Sequence, residues 1–215
     1  MTDELEVYAL PLGPLQANCF IVVRGDRGLV VDPGDEAHVV AGVFRELGFA
    51  PAAVLLTHGH FDHFGGVAPL AREFGMPVYI GEADAGQMAD GGLGALGGFD
   101  VEPFDGAVTL RGETELPLAI PVLAIPTPGH SRGSYTYAID GHLFVGDLLF
   151  QGSVGRTDLP GGNMDQLLDS VRTLVRRFPP DAPVHCGHGP DTSLGRELAL
   201  NPFLSPLRYD PGHRW

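Results

Sequence analysis

The sequence predicts an α/β (α+β) fold in which two sheets lie face to face and helices cover their outer sides. Three observations lead there. Each half of the chain passes through several strands before its helices, 44% of the 215 residues are hydrophobic, and no stretch of linker composition separates the halves. A single domain over residues 1–215 is expected, with enough apolar side chain to fill a core between two layers.

Taken in order, residues 5–10 and 18–23 read as strands, and the turn Asp26-Arg27-Gly28 leads to a short strand, Leu29-Val30-Val31. Asp32-Pro33-Gly34 ends that unit as a turn. From 36 to 47, apolar residues at 39, 40, 43, 44 and 47 form one helical face, which Gly48 stops. A strand at 53–57 precedes a helix from 62 to 74 that Gly75 ends, and 77–80 reads as a further strand. Between 82 and 105, glycines at 86, 91, 92, 94, 97 and 98 leave too little periodicity for an element; a flexible connector is preferred over a mobile flap. Strands resume near 107–110, 115–120 and 121–127, then at 134–139 and 142–145 on either side of Asp140-Gly141. A helix spans 165–178, with Asn163 as its cap and Gln166 three positions on. A strand at 182–186 and a helix near 193–200 complete the order.

The formal net charge is −14. That balance speaks against nucleic acid and against an anionic membrane surface, both of which need clustered basic residues. No apolar run approaches the roughly 20 residues of a membrane span. Met1-Thr2-Asp3-Glu4-Leu5-Glu6 has neither the basic start nor the apolar run of a secretory signal, so the expected location is cytoplasmic and the expected partner a small molecule. Oligomeric state is left open. The two cysteines, Cys19 and Cys186, lack metal-type C-x-x-C spacing, and Cys19 in its apolar run reads as a small buried hydrophobe.

The chemistry concentrates in Thr57-His58-Gly59-His60-Phe61-Asp62-His63, directly after an apolar run. In an extended segment, side chains two apart point the same way, so His58 and His60 can grip one ion together. Asp62 and His63 are adjacent and, with a helix beginning there, project elsewhere. The pattern predicts two neighbouring metal sites, each needing ligands from other parts of the chain. It differs from the helical H-E-x-x-H arrangement, whose histidines sit four apart on one helix face. Imidazole with carboxylate suits zinc, iron or manganese better than calcium or magnesium. A helix cap would explain Asp62 and leave three histidines without a reason. Three strand-end loops offer further ligands: His130 in Thr127-Pro128-Gly129-His130-Ser131, Asp147 after Val145-Gly146, and His188 between two glycines in His185-Cys186-Gly187-His188-Gly189-Pro190. Flanking glycine lets the backbone turn sharply and approach closely.

With these motifs in order, including Val31-Asp32-Pro33-Gly34, the sequence resembles the metallo-β-lactamase superfamily and, within it, the hydroxyacylglutathione hydrolase (glyoxalase II) branch. The resemblance implies an αββα sandwich of two mixed sheets flanked by helices. It also implies that His58, His60 and His130 bind one metal, that Asp62, His63 and His188 bind the other, and that Asp147 bridges them. Asp32 is similar to the family's buttressing aspartate, which positions the histidine loop without binding metal. His185 and Cys186 have no ligand counterpart, and His38, His142 and His213 are expected at the surface.

Two divalent ions, zinc first with iron or manganese as alternatives, can share a water, lower its pKa from 15.7 to about 7 and polarise a carbonyl. Asp62 and Asp147 would orient that hydroxide or take its proton. A thiol with pKa near ~8.5 leaves without prior protonation, which favours a thioester over an amide. The resemblance points the same way, to an S-hydroxyacyl glutathione-type substrate. Longer members carry a C-terminal helical domain that helps hold glutathione, and the stretch after His188 is expected to be too short for one. Pro190 stands where tyrosine is frequent. In Ser153-Val154-Gly155-Arg156-Thr157-Asp158, a run similar to that of short bacterial-type members, Arg156 is expected either to anchor a substrate carboxylate or to pair with Asp158. The alternative activity is that of the persulfide dioxygenases, which share the fold and a similar Gly-Arg-Thr-Asp run but use one iron, here on His58, His130 and Asp147. β-Lactam hydrolysis and the flavin-linked di-iron oxygen reductases fit less well.

Overall fold

The structure, a computed structural model, describes residues 4–92, 94 and 98–208. Met1 to Asp3, part of the glycine-rich stretch, and His213 lie outside the described residues.

One sheet takes its strands in sequence order: β1 (Glu6–Leu12), β2 (Ala17–Arg24), β3 (Arg27–Val31), β4 (Ala50–Leu55), β5 (Val78–Gly81) and β6 (Val108–Leu110). Its first three strands are antiparallel and the rest parallel. Parallel strands need crossovers, and α1 (Ala37–Leu47), α2 (Phe61–Phe64), α3 (Val67–Phe74) and α4 (Glu82–Ala89) lie in them. The second sheet contains β7 (Thr114–Leu116), β8 (Val122–Pro126), β9 (Tyr135–Ile139) and β10 (His142–Gly146). A small hairpin, β11 (Leu149–Phe150) with β12 (Ser153–Val154), and α5 (Met164–Arg177) intervene before β13 (Pro183–Cys186) and β14 (Thr192–Ser193) close that sheet. Its order is β14-β13-β10-β9-β8-β7, with β10 and β13 the parallel pair. The helix α6 (Leu194–Leu200) and a 3-10 helix, Pro202–Leu207, follow.

Alternation along the buried strands builds three apolar layers. In β2, Cys19, Ile21 and Val23 face α1 and α3, packing with Val40, Phe44, Val67 and Leu70. Phe20 and Val22 point the other way, into the seam between the sheets, where they meet Val122, Tyr137 and Phe144. Because both faces are covered, the strand reads as an unbroken apolar run. The outer face of the second sheet buries Leu143, Val145 and Val184 against Leu167, Val171 and Leu174 of α5. The result is two mixed sheets flanked by helices, as the sequence predicts. No helix among the described residues is long and apolar enough to cross a membrane.

Two expectations need correction. The helix expected over 62–74 is broken into α2 and α3 at Gly65-Gly66, where a side chain on Gly65 would lie 2.3 Å from the Gly34 carbonyl oxygen. The connector expected over 82–105 begins with α4, whose buried residues are Asp84 and Met88, one turn apart. A helix that turns a carboxylate inward leaves little apolar periodicity to read. The sequence reading also runs the strand after Leu110 to residue 120, whereas β7 ends at Leu116, and it passes over β11, β12, β14 and the 3-10 helix.

Asn163 caps α5 as expected, its side-chain oxygen accepting from the Gln166 amide at 3.0 Å. Asn163→Ala is predicted to lower stability by about 1 kcal/mol, read from the midpoint of urea denaturation with an unchanged slope.

Candidate metal centre

Five strand ends deliver the site. Asp32 follows β3, the 57–63 stretch follows β4, and His130, Asp147 and His188 follow β8, β10 and β13. Within each sheet these strands run in one direction, so their C-terminal ends meet at one edge of the sandwich. There the two sheets are tied directly: the Tyr135 amide donates to the Thr57 carbonyl at 2.7 Å, and the Asn18 amide to the Gly187 carbonyl at 2.7 Å. Gly187 is required by close approach, since a Cβ there would stand 2.2 Å from an Asp147 carboxylate oxygen.

The donor atoms of His58, His60 and His130 lie within 4.8 Å of one another, as do those of Asp62, His63 and His188. Asp147 reaches both sets, with Oδ1 3.4 Å from His63 Nε2 and Oδ2 3.6 Å from His130 Nε2 and 3.7 Å from His188 Nε2. Asp62 Oδ2 is 3.3 Å from His188 Nε2. All seven residues expected as ligands are thus brought together.

For His58, His63 and His130, proton positions follow from the partners on the far side of the ring. His130 Nδ1 donates to the Arg156 carbonyl at 2.8 Å, which leaves Nε2 as a lone pair facing inward. Thr57 Oγ1 donates to Asp32 Oδ2 at 2.6 Å and accepts from His58 Nδ1 at 3.0 Å. His63 Nδ1 donates to Asp32 Oδ2 at 2.9 Å. His58 Nε2, His63 Nε2 and Asp147 Oδ1 are left buried with no hydrogen-bond partner, and His60 Nδ1 sits 2.8 Å from His130 Nε2. Buried groups are rarely left unpaired. A set of inward lone pairs beside two carboxylates is what a cation pair would satisfy, so the residues fit the metals the motif implies. Asp32 lies within reach of His58 and His63, but its Oδ1 is engaged by the Thr57 amide at 2.7 Å and its Oδ2 by the two bonds above. Its φ of 50° is a left-handed conformation uncommon outside glycine, a strain typical of a position that function over-determines.

The electrostatics agree. Burial, then neighbouring histidines, hold His58 well below its ordinary pKa. Burial and His130 bring His60 down to about 4. Burial alone would raise Asp147, but His63, His130 and His188 outweigh it and hold the carboxyl well below the usual range. For His63, burial is outweighed by Asp147 and Asp32, so its pKa is raised. Neutral imidazoles and ionised carboxylates are the forms that bind metal, and a raised His63 marks a place that favours positive charge.

Sequence reasoning missed several supports. Asn18 is buried and donates through Nδ2 to the carbonyls of Cys186, at 2.9 Å, and Gly189, at 2.8 Å, fixing the His188 loop. Asp84 is buried between the loops of His60 and His130. Neither sits in a recognisable motif. Arg156 pairs through two bonds with Asp158, at 2.7 and 2.8 Å, and serves the centre with its backbone carbonyl. Cys186 and Cys19 are buried in apolar layers, and burial pushes the Cys186 thiol up to about 12. His185 is buried between Asp191 and His142, and His38 is exposed. His142, expected at the surface, is half-buried, its ring parallel to that of His185 and hydrogen-bonded to it at 2.9 Å. A cavity of about 250 Å³ opens beside Asp62, walled by Leu12, Leu15, Phe61, Phe99 and Val101, with Phe61 stacked on Phe99.

The metallo-beta-lactamase superfamily model matches residues 12–188. The probable metallo-hydrolase YqgX of Bacillus subtilis (strain 168) is 40% identical over 204 residues, covering 91% of this chain and 96% of that protein. The hydroxyacylglutathione hydrolase GloC of Haemophilus influenzae (strain ATCC 51907 / DSM 11121 / KW20 / Rd) is 29% identical over 212 residues, covering 94% and 99%. Among solved structures, TTHA1623 in a di-iron-bound form superposes with a TM-score of 0.86 at 39% identity, over 92% of this chain and 100% of that one. The BLEG-1 B3 metallo-beta-lactamase gives 0.85 at 34%, over 93% and 100%.

In metal-free protein, the His60 ring is predicted to titrate near 4 in NMR spectra and not near the ordinary 6.5. The unfolded chain would take up this proton first, so the His60 contribution to stability is lost as pH falls from 6.5 towards 4.

Proposed function

The chain belongs to the metallo-β-lactamase superfamily, and from that premise we propose that it hydrolyses a thioester, of the S-hydroxyacyl glutathione type, with two divalent metal ions. The observation that carries this is the pairing of donor sets, His58, His60 and His130 on one side and Asp62, His63 and His188 on the other, with Asp147 between. The first set would hold one ion and the second the other. A single-iron dioxygenase would use His58, His130 and Asp147 and leave the second set idle. Zinc, iron and manganese all suit these donors, and a structure 39% identical to this chain is described as di-iron-bound.

Such ions, when bound, would supply a hydroxide at neutral pH and polarise an acyl carbonyl. The chain does the rest. Asp32 and the Arg156 carbonyl fix the tautomers of His63 and His130, so that their inward nitrogens are free to coordinate. Asp62 is held ionised: burial opposes this, but its hydrogen bond to His188 and the nearby His63 prevail. Asp62 is among the residues lining the cavity, and its carboxylate, 3.3 Å from His188 Nε2, is the group that would orient the nucleophile and accept its proton. A cavity of about 250 Å³ is small beside the ~300–1,000 Å³ of sites for drug-sized ligands, and suits a short hydroxyacyl group. Among the described residues lining it there is no Lys, Arg, His or Tyr to protonate a poor leaving group. A thiol, with pKa near ~8.5, leaves without that help. The relation to GloC supports the same substrate class. A small-molecule substrate and a cytoplasmic place of action belong to this proposal.

The test is anaerobic turnover of an S-hydroxyacyl glutathione thioester by protein of measured metal content. Metal-dependent hydrolysis is expected, with His58→Ala losing more than the roughly 10–100-fold that removal of a ligand's hydrogen-bond partner costs. No turnover by protein carrying two ions would sink the glutathione-thioester assignment, and β-lactam cleavage in its place would move the activity towards that of BLEG-1. One iron per chain, with oxygen uptake on a persulfide, would favour the dioxygenase.

A further inference from the structure

We propose that Asp84 is a positioning residue for one metal site only, that of His58, His60 and His130. The proposal rests on the metal-binding reading above. Asp84 lies in the first turn of α4, outside every ligand motif, and is completely buried. Its Oδ2 accepts from the Gly59 amide at 3.0 Å and from Ser131 Oγ at 2.5 Å, and its Oδ1 accepts from the Gly133 amide at 2.8 Å and from Gln87 Nε2 at 3.3 Å. Gly59 stands between His58 and His60, while Ser131 and Gly133 follow His130. One carboxylate therefore fastens the loop after β4, in the first sheet, to the loop between β8 and β9, in the second. These are the two loops that carry the three imidazoles.

The fit is close on every side. A Cβ on Gly59 would stand 2.8 Å from the Asp84 carbonyl oxygen, and one on Gly133 2.6 Å from Asp84 Cγ. Ser131 Oγ is also 2.6 Å from Ser134 Oγ, which extends the network into the start of β9. Burying a carboxylate is costly unless hydrogen bonds replace its water. Four donors do so here, and with both oxygens engaged Asp84 has no place left for an ion. No bond from Asp84 reaches Asp62, His63 or His188. Asp32 supplies the complementary support, bonding His63 directly and His58 through Thr57. The two carboxylates divide the work, Asp32 serving both donor sets and Asp84 one.

The experiment measures metal content under graded chelator challenge, with folding checked by circular dichroism. Wild type is expected to retain two ions where Asp84→Asn retains one, the lost ion bound about 10–100-fold more weakly. Assignment comes from two backgrounds. With His188→Ala, which disables the second set, adding Asp84→Asn should weaken the remaining ion by that factor. With His60→Ala, which disables the first, adding it should leave the remaining affinity unchanged. Gln87→Ala, which removes one hydrogen bond to Asp84 and none to either loop, should retain both ions. Asp84→Ala is the stronger variant, and if it does not fold, Asp84→Asn decides. Two ions held at wild-type affinity by folded Asp84→Asn, or equal weakening in both backgrounds, would overturn the proposal. If wild type holds a single ion, the two-metal reading fails separately. Asp84→Asn must then weaken that ion by the same factor, or the positioning role falls too.

Discussion

Everything at this centre depends on keeping imidazole lone pairs aimed at one another's neighbourhood, an arrangement that repels itself without a cation. The chain engages the far nitrogens of three of the rings, those of His58, His63 and His130. Asp32 accepts from His63 and, through Thr57, orders His58, while the Arg156 carbonyl takes the outer proton of His130. The inward nitrogens of His58 and His63 make no hydrogen bond within the protein, although both residues are buried. Free energy from the surrounding fold holds that arrangement, including the left-handed backbone of Asp32.

The sandwich is what makes this affordable. Three apolar layers hold the strands side by side, so their C-terminal ends meet at one edge of the sandwich. Hydrogen bonds between the sheets occur at the same edge, through Tyr135 to Thr57 and Asn18 to Gly187. A displacement of either sheet would pull the donor sets apart. The support residues lie where both sheets contribute: Asn18 in β2 holds the loop after β13, and Asp84 before α4's second turn holds loops from both sheets.

Legibility in the sequence followed range of interaction. The four donors at 58–63 could be found because strand periodicity and an adjacent pair fix their directions locally, and the glycines around His188 and before Asp147 marked tight loops. Elements with clean apolar faces, such as α1 and α5, were found within a residue or two. Asp84 and α4 were hidden because the buried side of that helix satisfies itself with hydrogen bonds, not with apolar contact. Asn18 was hidden because its partners are about 170 residues away, with |i−j| of 168 and 171. The short strands β11, β12 and β14 have two residues each, too few for any period to show. Arg156 is open to two readings from sequence; its side chain pairs with Asp158 at the surface, and its backbone carbonyl meets the His130 ring.

Under the proposed function, two ions would sit side by side with Asp147 between them. Anomalous diffraction from crystals of metal-reconstituted protein tests it most directly. Two peaks are expected, one bounded by His58, His60 and His130, the other by Asp62, His63 and His188, with the Asp147 carboxylate between them. A single peak on His58, His130 and Asp147 in protein supplied with excess metal, with the second donor set left empty, would contradict it.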